Sequence, residues 1–96
     1  MDFWVYILRC ADASYYVGHT DNLELRIGAH QSGALPGYTQ RRRPVALVYS
    51  ERFGSREEAL SQERQIKGWT RAKKEALIVG DWARVSKLGR KRWRKN

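Results

Sequence analysis

Ninety-six residues with 42% apolar side chains allow one domain around one modest core. No apolar run approaches the roughly 20 residues of a membrane span, and the N-terminus lacks a basic-then-apolar leader pattern. These features predict a soluble, cytoplasmic chain that engages no membrane.

The net charge of +9 is unevenly placed. Residues 1–35 hold two basic against four acidic groups, −2, whereas residues 36–96 hold 17 basic against six acidic, +11. Such a skew points to a polyanionic partner, most simply nucleic acid, without separating an enzyme from a passive binder. The single cysteine, Cys10, excludes an internal disulfide and a cysteine-built zinc site.

Trp4-Val5-Tyr6-Ile7-Leu8 and Tyr15-Tyr16-Val17-Gly18 are two apolar, aromatic-rich runs separated by a turn-sized gap. Alternation puts Phe3, Val5 and Ile7 on one face of the first run and Trp4, Tyr6 and Leu8 on the other. Both faces are apolar, which predicts a strand covered on both sides. With Ala11-Asp12-Ala13 as the loop, the second run returns as an antiparallel partner. Tyr6 and Tyr16 then lie on neighbouring strands, where they can point into one pocket. Taken singly, each is more simply a packing aromatic.

His19-Thr20-Asp21-Asn22 offers helix N-caps, and Asp21 with Glu24 resembles a capping box. A helix from about Asn22 to Gln31 lines up Leu23, Arg26, Ile27 and His30 on one stripe. An arginine on an inward stripe costs desolvation unless it meets an anion; otherwise it lies at the stripe edge and snorkels outward. His30 alone is more simply a satisfied core histidine. Ser32-Gly33 ends the helix, and residues 34–40 read as a loop. Arg41-Arg42-Arg43 follows, either a solvated basic loop or a contact to a phosphate backbone. Pro44 opens Val45–Tyr49, a third strand with both faces apolar.

Ser55-Arg56-Glu57-Glu58 is a capping box starting a helix that runs to about Lys67. Its apolar stripe of Ala59, Leu60 and Ile66 contains Glu63. A carboxylate there needs a cation, a metal or several donors. The plain explanation is a structural ion pair, for which Arg26 is a candidate partner. Gly68 breaks the helix, and Arg71–Val79 forms a third one with Ala72, Ala76 and Leu77 inward and Lys73 and Lys74 outward. From Arg84 basic residues dominate, interleaved with Trp82 and Trp93. The chain thus divides into a domain, residues 1–82, and a flexible basic tail, residues 83–96. That tail either solubilises the domain or serves as a nucleic-acid arm whose tryptophans stack on bases.

Two strand tyrosines, an arginine and a histidine on one helix, and a glutamate on another together resemble the GIY-YIG nuclease family. The GIY element matches Val5-Tyr6-Ile7 loosely, with Val5 in place of glycine, and the YIG element matches Tyr16-Val17-Gly18. The family's helix arginine and the histidine after it match Arg26 and His30, and its metal-binding glutamate matches Glu63. The resemblance covers about residues 3–80. Within the family it points to the small, stand-alone bacterial type (UPF0213-like), related to the nuclease domain of the structure-specific Slx1 proteins.

The resemblance implies an α+β fold, a three-stranded antiparallel sheet flanked by helices in the order β-β-α-β-α-α, here followed by the basic tail. It also implies a metal-dependent DNA endonuclease that hydrolyses phosphodiester bonds, structure-selective in repair or recombination. Glu63 would hold Mg²⁺ or Mn²⁺, a lone carboxylate being enough for an ion that keeps several waters. Arg26 would neutralise charge on the phosphate, and Tyr6, Tyr16 or His30 would orient or deprotonate the attacking water. The candidates for DNA contact are Arg41, Arg42, Arg43, Lys73, Lys74, Arg90, Lys91, Arg92, Trp93 and Arg94. Alternative readings are a catalytically weak nucleic-acid-binding module and a subunit that cleaves only with a partner protein. The chain departs from the family pattern twice. Asp81 is the nearest counterpart of a further polar residue after the last core helix, and Gln40 stands near the place of a second histidine.

Overall fold

The computed structural model describes the backbone of residues 1–94 and the side chains of residues 1–88. The run with two apolar faces becomes the central strand. The strands β1 (Phe3–Arg9), β2 (Tyr15–Thr20) and β3 (Ala46–Phe53) form one antiparallel sheet in the order β2-β1-β3. Helix α1 (Leu23–Ser32) lies between β2 and β3 in sequence, and α2 (Arg56–Lys67), α3 (Arg71–Ile78) and α4 (Trp82–Arg94) follow β3.

Each face of β1 feeds its own core, as the alternation of its side chains requires. Val5 and Ile7 join Val17, Ala59, Ile66 and Leu77 on the face covered by α2 and α3. Tyr6 and Leu8 join Cys10, Ile27 and Val45 on the face covered by α1. Val5, Tyr6, Ile7 and Leu8 are each at most 1% exposed, so at about 25 cal/mol per Å² this strand contributes heavily to both cores.

Several local expectations change in the structure. Asn22, not Asp21, caps α1: its side chain accepts from the Leu25 N–H at 3.2 Å. Asp21 instead pairs with Arg56 at 3.3 Å. The Ser55 capping box is present, the Ser55 hydroxyl accepting from the Glu58 N–H at 3.2 Å. Strand β3 reaches Phe53 and is only half-covered, with Ala46, Leu47, Ser50, Glu51 and Arg52 exposed. It is an edge strand, and one extra residue, Val48, bulges opposite the Ile7–Leu8 step.

The segment expected as a flexible tail is helical over Trp82–Arg94. Asp81 starts this helix, its carboxylate accepting from the Arg84 N–H at 3.1 Å, and Val85 packs against the first core. The side chains of Arg90, Lys91, Arg92, Trp93 and Arg94 lie outside the described residues. Lys73 and Lys74, expected to face outward, are half-buried because their stems cover apolar surface. The Lys73 ammonium lies 4.1 Å from the Trp69 ring centre. Burial, with Arg71 nearby, lowers the pKa of Lys74.

One glycine is required by close approach and another by its backbone conformation. Gly18 faces Tyr6 across the β1–β2 ladder, and a Cβ there would lie 2.5 Å from the Tyr6 hydroxyl. Gly33 ends α1 with φ of +80°, and a Cβ there would lie 2.6 Å from the Arg43 guanidinium carbon. Gly28, within α1, has open space around it. Gly18→Ala is therefore expected to lower unfolding free energy by about 1–3 kcal/mol through overpacking. Gly28→Ala should raise it by about 0.5–1 kcal/mol through helix propensity. Urea denaturation of the two variants beside the parent checks both signs.

Candidate functional site

Tyr6 is directed onto the α1 face of the sheet by the pleat, and Gly18 leaves room for its ring to lie along β2. Its hydroxyl is hydrogen-bonded to His30 Nε2 at 2.9 Å, and His30 Nδ1 is hydrogen-bonded to Thr39 Oγ1 at 2.7 Å. His30 sits on the inward side of α1, one turn after Ile27, and is only 3% exposed. Burial first, and the Arg26 charge second, lower its pKa below the usual histidine range. A neutral imidazole has one donor and one acceptor nitrogen, so these two hydroxyls satisfy it completely. Burial, helped by Tyr16 and Glu63 and opposed by Arg26, raises the pKa of Tyr6 far above that of a free phenol. Tyr6 is therefore a fixed, protonated element of the site.

Tyr16 lies against this pair, its ring centre 6.3 Å from that of Tyr6 and 5.0 Å from that of His30. Tyr38 stacks on its outer side at 6.1 Å, and the Arg42 guanidinium carbon lies 3.8 Å from the centre of the Tyr38 ring. Among the described residues the Tyr16 hydroxyl has no hydrogen-bond partner, and no buried side-chain polar atom is left unpaired. This hydroxyl is thus open to solvent.

Arg26 is exposed, and among the described residues it forms no ion pair or hydrogen bond. The buried line of α1 runs through Ile27 and His30, with Leu23 half-covered, and Arg26 flanks it. The stripe-edge alternative therefore describes its position, and Glu63 does not pair with it. Arg26 still acts electrostatically on both Tyr6 and His30.

Glu63 stands on the opposite face of the sheet, between Ala59 and Ile66 on α2, and is 7% exposed. One carboxylate oxygen, Oε1, is hydrogen-bonded to His19 Nδ1 at 2.5 Å, and the other, Oε2, is paired with Lys67 Nζ at 2.7 Å. Burial opposes ionisation of this carboxyl, but the bonds from Lys67 and His19 outweigh it and hold the pKa below the usual range. Of the expected five residues, Tyr6, Tyr16 and His30 touch one another, while among the described residues Arg26 and Glu63 make no hydrogen bond or ring contact with them. Tyr6, Tyr16 and His30 form a cluster on one side of edge strand β2, with Arg26 on its rim, and Glu63 lies on the other side within electrostatic range of the Tyr6 phenol.

His19 is the functional candidate that sequence reasoning passed over. It lies in β2 opposite Val5, on the same face as Val17, because the strand continues to Thr20. Extending the alternation two residues past Val17 would have aimed it at α2. Among the basic candidates, Arg42 is bonded to Asp12 at 3.1 Å and donates to the Tyr38 carbonyl at 2.9 Å. Arg43 donates to the carbonyls of Gln40 and Ser32. Arg41 is exposed and has no such bond among the described residues. Gln40 donates to the Gly33 carbonyl at 3.1 Å, so it braces the loop against α1. Asp81 caps α4, as described above.

Of the candidate residues, Glu63 has the donor chemistry a small divalent ion takes, with its two oxygens engaged by His19 and Lys67. Glu63 is an ionised, nearly buried carboxylate, and a magnesium-sized ion needs one or two carboxylates with water completing its shell. Among the described residues no cluster of three or more histidine, cysteine or acidic side chains forms a protein-only cage.

The neutral, bonded state of His30 links folding to pH. The unfolded histidine takes up a proton near pH ~6.5, whereas the folded one resists until a lower pH. Over that window the unfolded state binds more protons, so stability is full above it and falls as the solution is acidified through it. Urea denaturation at pH 7.5 and at pH 5.5 should show a loss in the parent that is smaller in His30→Gln.

Comparison with known proteins places this geometry in a family. The GIY-YIG catalytic domain matches residues 2–76. A UPF0213 protein of Natronomonas pharaonis is 45% identical over 80 residues, covering 83% of this chain and 94% of that protein. A UPF0213 protein of Clostridium perfringens is 52% identical over 75 residues, covering 78% of this chain and 81% of that protein. Among solved structures, the solution structure of a UPF0213 protein from Bacillus halodurans superposes with a TM-score of 0.55 at 43% identity, covering 82% of this chain and 84% of that one. A solution structure from E. faecalis gives 0.59 at 35% identity, covering 86% and 88%. GIY-YIG domains are characteristic of nucleases, and the chain belongs to the GIY-YIG family, among its UPF0213 proteins.

Proposed function

We propose that the protein is a divalent-metal-dependent DNA endonuclease that hydrolyses phosphodiester bonds, structure-selective in repair or recombination. The observation that carries this reading is the Tyr6–His30–Tyr16 cluster with Arg26 on its rim and the ionised Glu63 across β2. A binder gains little from keeping a carboxylate buried there, since apolar residues in such a place are often no less stable.

The roles follow from which groups are free. Tyr6 and both nitrogens of His30 are engaged with one another and with Thr39, so they fix geometry and do not meet substrate first. Tyr16 offers the one hydroxyl of the cluster left open, and it orients the attacking water. The unpaired guanidinium of Arg26 neutralises charge developing on the non-bridging phosphate oxygens, a contribution whose loss typically costs about 3–4 kcal/mol in the barrier. Glu63 would hold a Mg²⁺ or Mn²⁺ ion, which would supply Lewis-acid stabilisation of the phosphate. A single small domain has little surface for a long base sequence, which favours recognition of DNA shape. Among the described residues no helix is long and apolar enough to cross a membrane.

The test is incubation with duplex, single-stranded, flap and branched DNA, with Mg²⁺ or with EDTA, beside Glu63→Gln. The expected outcome is metal-dependent cutting that falls roughly 100-fold or more in the variant, with DNA affinity nearly unchanged. Equal loss of cutting and binding would argue against a metal role for Glu63. Binding without cutting on every substrate would favour the weak-module reading or a subunit completed by a partner protein.

A further inference from the structure

We infer that Lys67 is a built-in counter-ion seated on the carboxylate oxygen of Glu63 that a divalent cation takes, so that cation binding is an exchange of ion for lysine. This rests on the metal reading of Glu63 above.

The two partners of Glu63 are not equivalent. Glu63 Oε1 is bonded to His19 on β2, a side chain 26% exposed and set in the strand's hydrogen-bonded ladder. Its Oε2 is bonded to Lys67, one turn along the same helix, whose side chain is 53% exposed. The Glu63 side chain itself is only 10% exposed. A carboxylate so covered needs a positive partner whenever it is ionised, and the lysine provides one in the absence of any ion.

The histidine, a short side chain with two rotatable bonds and 26% exposure, has less freedom to swing away than the lysine. The flexible stem of the lysine lets its ammonium swing into water and regain full hydration. After the exchange His19 still holds Oε1, which keeps the carboxylate in the same orientation, as a hydrogen-bonded outer partner does in other metal sites. Lys67 therefore stabilises the ion-free protein and weakens its hold on the ion through the same contact.

The experiment titrates Mn²⁺ into the purified full chain and follows free Mn²⁺ by electron paramagnetic resonance at fixed ionic strength, in the parent, Lys67→Gln, Lys67→Arg and Glu63→Gln. An exposed-end ion pair of this kind predicts roughly two- to tenfold tighter Mn²⁺ binding in Lys67→Gln, with Lys67→Arg as weak as the parent or weaker. Thermal unfolding of the same proteins, with and without Mn²⁺, should show a larger stabilisation by the ion in Lys67→Gln. If Lys67→Gln does not fold without Mn²⁺ but folds with it, the ion has replaced the lysine and the inference stands. Equal or weaker binding in Lys67→Gln, with Glu63→Gln silent, overturns the exchange while leaving the metal site intact. Absence of site-specific binding in all four overturns the metal reading and the exchange with it.

Discussion

The fit of the Tyr6 phenol over Gly18 is the contact on which the candidate site depends. A strand with two apolar faces has to be central, and a central strand delivers alternate side chains to opposite sides. Tyr6 is thereby sent to the α1 side, where its hydroxyl reaches His30, and His30 reaches Thr39 in the loop after α1. Three separate stretches of chain meet in that line of hydrogen bonds. Any residue larger than glycine at position 18 would displace the phenol, and the imidazole would then be left with a buried nitrogen unpaired, a costly state. The glycine of the second motif is thus explained by space rather than by backbone conformation, since Gly18 is a strand residue without a positive φ.

The two charged candidates solve their solvation in opposite ways. Arg26 stays in water and acts on the cluster from its rim, which spares it the cost of burial and leaves it free for an anion. Glu63 is covered by the α2–sheet packing and survives as an anion because Lys67 and His19 compensate. Placed on opposite faces of the edge strand, they leave β2 as the thin partition between them. An edge strand suits this purpose, because both of its faces are reached from outside at the sheet margin.

Much of this arrangement was legible from alternation and spacing. The doubly covered β1, the returning β2, the inward His30 and the covered Glu63 all followed from period 2 or period 3.6 applied to long, strongly patterned stretches. The misreadings share a cause, which is that an element's end decides which face its last residues join. Ending β2 at Gly18 removed His19 from the strand, where Val17 and His19 share a face, and so hid the partner of Glu63. Counting Arg26 into the α1 stripe widened it by one position, since the buried line runs through Ile27 and His30 and Arg26 flanks it. In α4 the basic composition concealed a Trp82–Val85–Leu88 spacing behind an Asp81 cap, a pattern that the packing of Val85 makes visible. The pairing of Lys67 with Glu63 lies at the ordinary i, i+4 distance, and the sequence reading passed over it by naming Arg26 alone.

The distribution of used and unused cations refines where a polyanion meets the protein. The arginine triplet reads in sequence as either a solvated basic loop or a phosphate contact, and in the structure Arg42 and Arg43 spend their guanidinium groups holding the loop that carries Thr39 and Tyr38. They serve the site indirectly, by fixing the residues that bracket His30 and Tyr16. Arg52, Arg56 and Arg71 are likewise paired with Asp2, Asp21 and Glu75. Arg26, Arg41, Arg64 and Arg84 are exposed and, among the described residues, have side chains without ion pairs or hydrogen bonds. A phosphate approaching any of these displaces only water, whereas one approaching Arg42 must compete with Asp12. The attraction that the net charge of +9 exerts at long range is therefore resolved at close range by a smaller set of groups, of which Arg26 is the one electrostatically coupled to the tyrosine–histidine cluster.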